Sequence, residues 1–196
     1  MHAGLTLDLP ARIGQRRAVT DGAGTEPHDD ARSISAARRG DRDAFERLYE
    51  RYGPMVHGIV LSRIPRRDVE DLVQDVFVTV YRRLGTLRDP AAFPGWLAMI
   101  ARNRATDYLR RAPRTEELSE DLPADTPSEL EAHAILAIIR EMPEAYRETL
   151  ILRLVEGMTG PEIAARTGLT PGSVRVNLHR GMTQLREQLD RRQPHG

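Results

Sequence analysis

Between Val69 and Leu84 apolar side chains return every three or four residues without a gap: Val69, Leu72, Val73, Val76, Phe77, Val80, Tyr81 and Leu84. A strand would alternate at two. This period puts all eight on one face of an α-helix, and that face must be buried. The opposite side carries Asp68, Glu70, Asp71, Gln74 and Asp75. Acids in the first turn favour the positive end of the helix dipole. Asp75 lies beyond the first turn, so the dipole does not account for it.

The same period recurs on both sides of this segment. Phe45, Leu48, Tyr49, Tyr52, Val56, Ile59 and Val60 form a second stripe, interrupted by Gly53-Pro54, which predicts a kinked or split helix. After Gly85 the turn-rich loop GTLRDPAAFPG leads to a third stripe of Phe93, Trp96, Leu97, Ile100, Ala101 and Tyr108. Its polar side holds Arg102, Asn103, Arg104, Asp107, Arg110 and Arg111. Further stripes follow, with Leu130, Ala134, Ile135, Ile138 and Ile139 in one and Tyr146, Leu150, Ile151 and Leu154 in the next. Strand signals and internal repeats are absent.

The chain is therefore expected to be all-α, with two small helical domains at 33–112 and 128–190. Residues 1–32 are rich in Gly, Pro, Asp and Arg without a period, and are expected to be a disordered extension. Residues 113–127 hold three Pro and five acids against one Arg, the composition of a flexible acidic linker. The tail 191–196 is expected to fray.

The last helical pair has the sharpest local chemistry. In TGPEIAARTGLTPGSVRVNLHRGMTQLR, Thr159 and Glu162 make a capping box. Gly168 suits a left-handed helix end, and Thr170-Pro171 restarts the chain as a helix. Val174, Leu178, Met182 and Leu185 give the second helix one apolar stripe, while Ser173, Arg175, Asn177, His179 and Arg180 stand on its other face. That is a helix-turn-helix with a polar, partly basic second helix, suited to the major groove. The same pattern also describes a plain αα-hairpin with a solvated face.

The 196 residues carry 29 basic and 29 acidic side chains, so overall charge does not argue for nucleic acid. Distribution does: 33–112 holds 15 Arg against 10 acids. Without Cys there is no disulfide, thiolate zinc site or cysteine nucleophile. His57, His133 and His179 share no metal-ligand spacing, and no phosphate-cradling Gly loop appears. Neither an enzyme, a cofactor nor a metal is expected. No apolar run reaches the roughly 20 residues of a membrane span, and the N-terminus lacks a secretory signal, so a cytoplasmic protein without membrane insertion is expected.

The order of the pieces is diagnostic. DVEDLVQDVFVTVY, then FPGWLAMIARNRATDYLRR, then an acidic linker, then PEAYRETLILRLVEGMTGPEIAARTGLTPGSVRVNLHRGMTQLREQL resembles the extracytoplasmic-function (ECF) sigma factors of the sigma-70 family over residues 36–189. The resemblance implies a region 2 helical bundle that binds core RNA polymerase and melts the −10 promoter element. It also implies a region 4 helix-turn-helix that reads the −35 element. The implied partners are core polymerase, through its β′ clamp and β flap, and promoter DNA; an anti-sigma factor is usual for the family. Asp68, Asp71, Gln74 and Asp75 match the polymerase-binding segment. Arg88, Trp96, Arg102, Asn103, Arg110 and Arg111 match the −10 surface, where base pockets, aromatic platforms and phosphate contacts are needed. Trp96 equally suits core packing. Ser173, Arg175, Asn177, His179 and Arg180 match the −35 reader. The loop LRDPAAFPG, with two prolines, departs from any pattern that would name the −10 base.

A stand-alone helix-turn-helix regulator with a helical partner-binding domain is the alternative. It would bind duplex DNA alone, usually as a dimer. This chain has one such motif, no heptad run, and seven Arg against nine acids in 129–190. Those features favour a free monomer that binds DNA weakly until polymerase holds it. A helical adaptor without DNA contact would leave the polar face of the last helix unexplained.

Overall fold

The computed structural model describes residues 27–111 and 127–192. The described residues contain eight α-helices and no strand: α1 Pro27–Arg38, α2 Arg42–Leu61, α3 Val69–Arg83, α4 Phe93–Arg111, α5 Pro127–Arg140, α6 Glu144–Leu154, α7 Gly160–Thr167 and α8 Pro171–Arg192. The expected extension and acidic linker lie almost wholly outside the described residues, as does the end of the tail. Within the tail, Arg191 and Arg192 still belong to α8.

The first helix corrects the expected boundary. Residues 27–32 were expected to be disordered with the rest of the extension, yet they form the start of α1. Pro27 at the helix start with Asp29 and Asp30 in the first turn is a helix-start signal. Tertiary contacts complete it. Arg51 of α2 pairs with Asp30 and, at 3.5 Å, with Asp29. The Tyr52 hydroxyl donates to Asp30 at 2.6 Å. Ile34 and Ala37 are buried beneath.

α2 is the centre of the fold. Asp41 caps it, accepting from the Ala44 N–H at 3.0 Å. Of the expected kink or split at Gly53-Pro54, the split does not occur: the helix runs on through Pro54. Pro54 removes one backbone bond. Buried Tyr52, Gly53, Met55 and Val56 on either side hold the helical path, because α2 packs against α1, α3, α4 and α6. The α3 stripe behaves as its period predicts, with Val69, Leu72, Val73, Val76, Phe77 and Val80 all buried. Phe77 meets Phe45 edge-on at 6.3 Å and Tyr49 at 4.5 Å between ring centroids.

In the C-terminal half the caps form as the sequence indicates. Thr159 N–H donates to Glu162 at 2.8 Å, the Thr159 hydroxyl receives the Glu162 N–H, and Gly168 sits at φ +76°. The Ser173 N–H donates to Thr170 at 3.1 Å to start α8. α8 then crosses α6 closely at Gly181. A Cβ there would lie 3.0 Å from Leu150 Cδ1 and 3.3 Å from Tyr146 Cβ. Gly181→Val is therefore expected to force α8 off α6 and lower stability by about 1–3 kcal/mol in denaturant unfolding. An unchanged midpoint would mean the crossing tolerates more room than the structure allows.

Candidate nucleic-acid interface

Three surfaces carry the residues singled out from the sequence. On α3, Asp71, Gln74 and Asp75 are exposed. Asp75 pairs with Arg104 of α4 at 3.0 Å. Asp68 turns inward: it accepts from the Tyr108 hydroxyl at 2.7 Å and approaches Arg67 at 3.4 Å. The four polar residues thus divide. Asp71 and Gln74 face outward, whereas Asp68 and Asp75 also tie α3 to α4.

On α4, Trp96, Met99, Asn103, Thr106 and Arg110 fall at spacings of three and four and share one side. Trp96 is half-buried and leans on Phe93 at 6.1 Å between ring centroids. Met99, Asn103, Thr106 and Arg110 are exposed, Met99 to 50%. Arg110 pairs with Asp107 at 2.8 Å. Arg111 is exposed at the helix end, and Arg88 is exposed on the loop before the helix. The result is an aromatic, a thioether, an amide and two guanidinium groups along one open stripe and its end. Such a surface can stack an unpaired base and hold phosphate.

Arg102 does not join that stripe. Its guanidinium grips Glu148 of α6 with two bonds, Nη2 to Oε1 at 2.7 Å and Nε to Oε2 at 3.2 Å. It also reaches the Thr167 carbonyl at 3.3 Å. Glu148 meets Arg63 as well, at 2.7 Å. Burial alone would raise the Glu148 carboxyl, but the Arg102 and Arg63 guanidinium groups outweigh it and hold the carboxyl below the usual range.

On α8, Ser173, Arg175, His179 and Arg180 are exposed, and Asn177 is half-buried. The Ser173 hydroxyl lies 2.8 Å from that of Thr170, so this side chain belongs to the helix cap as well as to the outer face. Val176 stands among them, 41% exposed.

Two family models match the chain in the expected order: Sigma-70 region 2 over residues 48–115 and Sigma-70 region 4 over residues 132–185. The chain is 37% identical over 163 residues to the RNA polymerase sigma factor CarQ of Myxococcus xanthus, an alignment covering 78% of this chain and 92% of that protein. It belongs to the ECF sigma factors of the sigma-70 family. The ECF RNA polymerase sigma-E factor of Escherichia coli K12 is 31% identical, over 80% of this chain and 90% of its own. Among solved structures, CnrH in complex with the cytosolic domain of CnrY aligns with a TM-score of 0.62 and 28% identity, over 84% of this chain and 99% of that one.

This sigma factor directs RNA polymerase to promoters, and the stand-alone regulator is not favoured. Sigma factors are transcription initiation factors. Among the described residues no helix is long and apolar enough to cross a membrane. Sequence reasoning missed three features of the sigma factor. Met99 shares the Asn103 side of α4, but an apolar residue there gives no polar signal in the sequence. Val176, equally apolar, gives none either. Glu148 gives no sequence signal at all, because its role depends on two arginines 46 and 85 residues away.

Proposed function

We propose that this ECF sigma factor divides its work between two helical units. Residues 27–111 act as region 2 and 127–190 as region 4, joined by the acidic segment between them. Asp71 and Gln74, with Asp75 beside them, contact the β′ clamp of core polymerase. The α4 stripe from Trp96 to Arg110, with Arg88 and Arg111, holds the melted −10 strand, and residues 85–95 select its base. Ser173, Arg175, Asn177, His179 and Arg180 read the −35 element while the same unit docks on the β flap. The factor is cytoplasmic and monomeric when free, and an anti-sigma partner keeps it in check, as the CnrY domain accompanies CnrH. The observation that supports this reading best is the open α4 stripe, since a plain structural helix has no need to present Met99 and Asn103 beside a half-buried Trp96.

The experiment is permanganate footprinting on a promoter recovered by run-off transcription from a genomic library. Thymines of the −10 region are expected to become reactive only when chain and core polymerase are both present. Symmetric protection by the chain alone, without melting, would sink the reading.

Two variants test the assignments. Asp71→Arg is expected to weaken association with core enzyme at least tenfold and leave the fold intact, because Asp71 is exposed and, unlike Asp75, is not the residue paired with Arg104. Undiminished pull-down of core polymerase would remove Asp71 from the clamp contact. Arg175→Ala is expected to relax preference at one or two adjacent −35 base pairs by roughly 1–3 kcal/mol, the worth of a forked guanine contact. Arg180→Ala is expected to weaken all sites alike, as loss of a phosphate contact does. A uniform loss across a promoter library for Arg175→Ala would reverse the two roles.

A further inference from the structure

The outer face of α8 is polar except near its centre. Buried Val174, Gly181 and Leu185 mark the side turned to the protein. At 3.6 residues per turn, Val176 lies almost opposite them. It is 41% exposed. One turn away on the helix surface stand Gly172, Ser173, His179 and Arg180, all exposed. Val176 is therefore the midpoint of the face assigned above to the −35 element, with Arg175 and half-buried Asn177 on its two flanks.

Helix formation does not ask for valine at this place. A β-branched side chain loses rotamer freedom in a helix, and alanine or a long polar residue would serve a solvated face better. Gly172, one turn nearer the helix start, is equally unexplained by the fold. Its φ is not positive. A Cβ added to it would meet only Thr170 Oγ1, at 3.9 Å, an ordinary contact. The Ser173 hydroxyl between them in sequence is engaged by that of Thr170 at 2.8 Å. The outer face thus slopes: it is low at Gly172, Ser173 and Val176 and tall at His179 and Arg180. A face of that profile lets the first turns of its helix approach the floor of a groove, where the base edges lie.

Chemistry limits what Val176 can meet there. It neither donates nor accepts a hydrogen bond and carries no charge, so it holds no phosphate. Among the groups that mark base edges in the major groove, one is apolar, the C5-methyl of thymine.

We propose that Val176 is a specificity-determining residue for the −35 element: it packs against the C5-methyl group of a thymine, and Gly172 lets the helix come close enough for so short a side chain to reach it. The proposal rests on the reading of α8 as the −35 helix. The thymine lies within one or two steps of the base pair that Arg175 reads, since neighbouring Cα atoms are about 3.8 Å apart and successive base pairs about 3.4 Å.

The test uses the holoenzyme, this chain with core polymerase, on the promoter recovered for footprinting. Each thymine of the −35 element, on either strand, is replaced in turn by deoxyuridine. That change deletes one methyl group and leaves every hydrogen-bonding group in place. At one position uracil is expected to raise the holoenzyme concentration for half-maximal opening about three- to fourfold, the effect of losing one buried methyl group. Val176→Ala is expected to weaken the thymine promoter by a similar factor and to make the thymine and uracil promoters equal. Val176→Thr keeps one methyl group and is expected to keep part of the preference. Gly172→Ala is expected to hold or raise the thermal midpoint, because alanine is the better helix former, and yet to weaken opening at least threefold.

A −35 element without thymine on either strand, uracil tolerated at every position, or a thymine preference that survives Val176→Ala overturns the proposal. Undiminished opening by Gly172→Ala overturns the close approach. Scrambling the −35 element separates this failure from that of the underlying reading. If scrambling costs no opening, the −35 role of α8 falls and the methyl contact with it. If scrambling is costly and Arg175→Ala relaxes preference while uracil is tolerated throughout, the −35 role stands and the methyl contact alone falls.

Discussion

The structure depends on the burial of the C-terminal half of α2 from every side. A surface helix shows one apolar stripe, but the C-terminal half of α2 buries Met55, Val56, Gly58, Ile59, Val60 and Leu61 almost without interruption. No single neighbour can cover such a helix. α1, α3 and α4 cover most of it, and α6 from the other half covers the Gly58 side. The N-terminal unit is thus a bundle wound on one axial helix. The arrangement also explains why Pro54 leaves that axis intact, since its neighbours are clamped by packing rather than by the backbone bond that proline lacks.

Periodicity made most of this legible. The α3 stripe is buried as spaced, and the capping box, the left-handed glycine and the second cap of the helix-turn-helix all form. These features are local, so a short window of sequence contains their cause. The sequence misled where the cause is distant. The start of α1 depends on Arg51 and Tyr52, more than twenty residues on. Arg102 reads from its neighbours as one more basic residue on a DNA-facing helix, and only the fold reveals the carboxylate that occupies it. Asp68 likewise reads as an exposed acid, but the Tyr108 hydroxyl draws it towards α4.

Charge follows the same division. The chain is neutral in total, but its excess of arginine lies in the first unit and most of its excess of acid in the segment 113–127 between the units. A buried carboxylate flanked by two guanidinium groups is stable only while both stay in place, because removing either partner strands charge in a poor solvent. Glu148 therefore links the halves in a way that is strong when complete and fragile when altered. The apolar contact of Gly58 with Leu152 contributes shape, and the ionic bridge contributes selectivity for one docking geometry.

The close crossing at Gly181 has an evolutionary consequence. With no side chain on Gly181, the recognition helix sits directly on Leu150 and Tyr146, which pin its height and rotation. Its footprint on a duplex is therefore not adjustable by sliding or rolling the helix as a unit. Descendants of this factor that acquire a different upstream element must do so by exchanging individual side chains on the outer face. Their promoter preferences would then diverge one or two base pairs at a time, with the spacing between elements conserved.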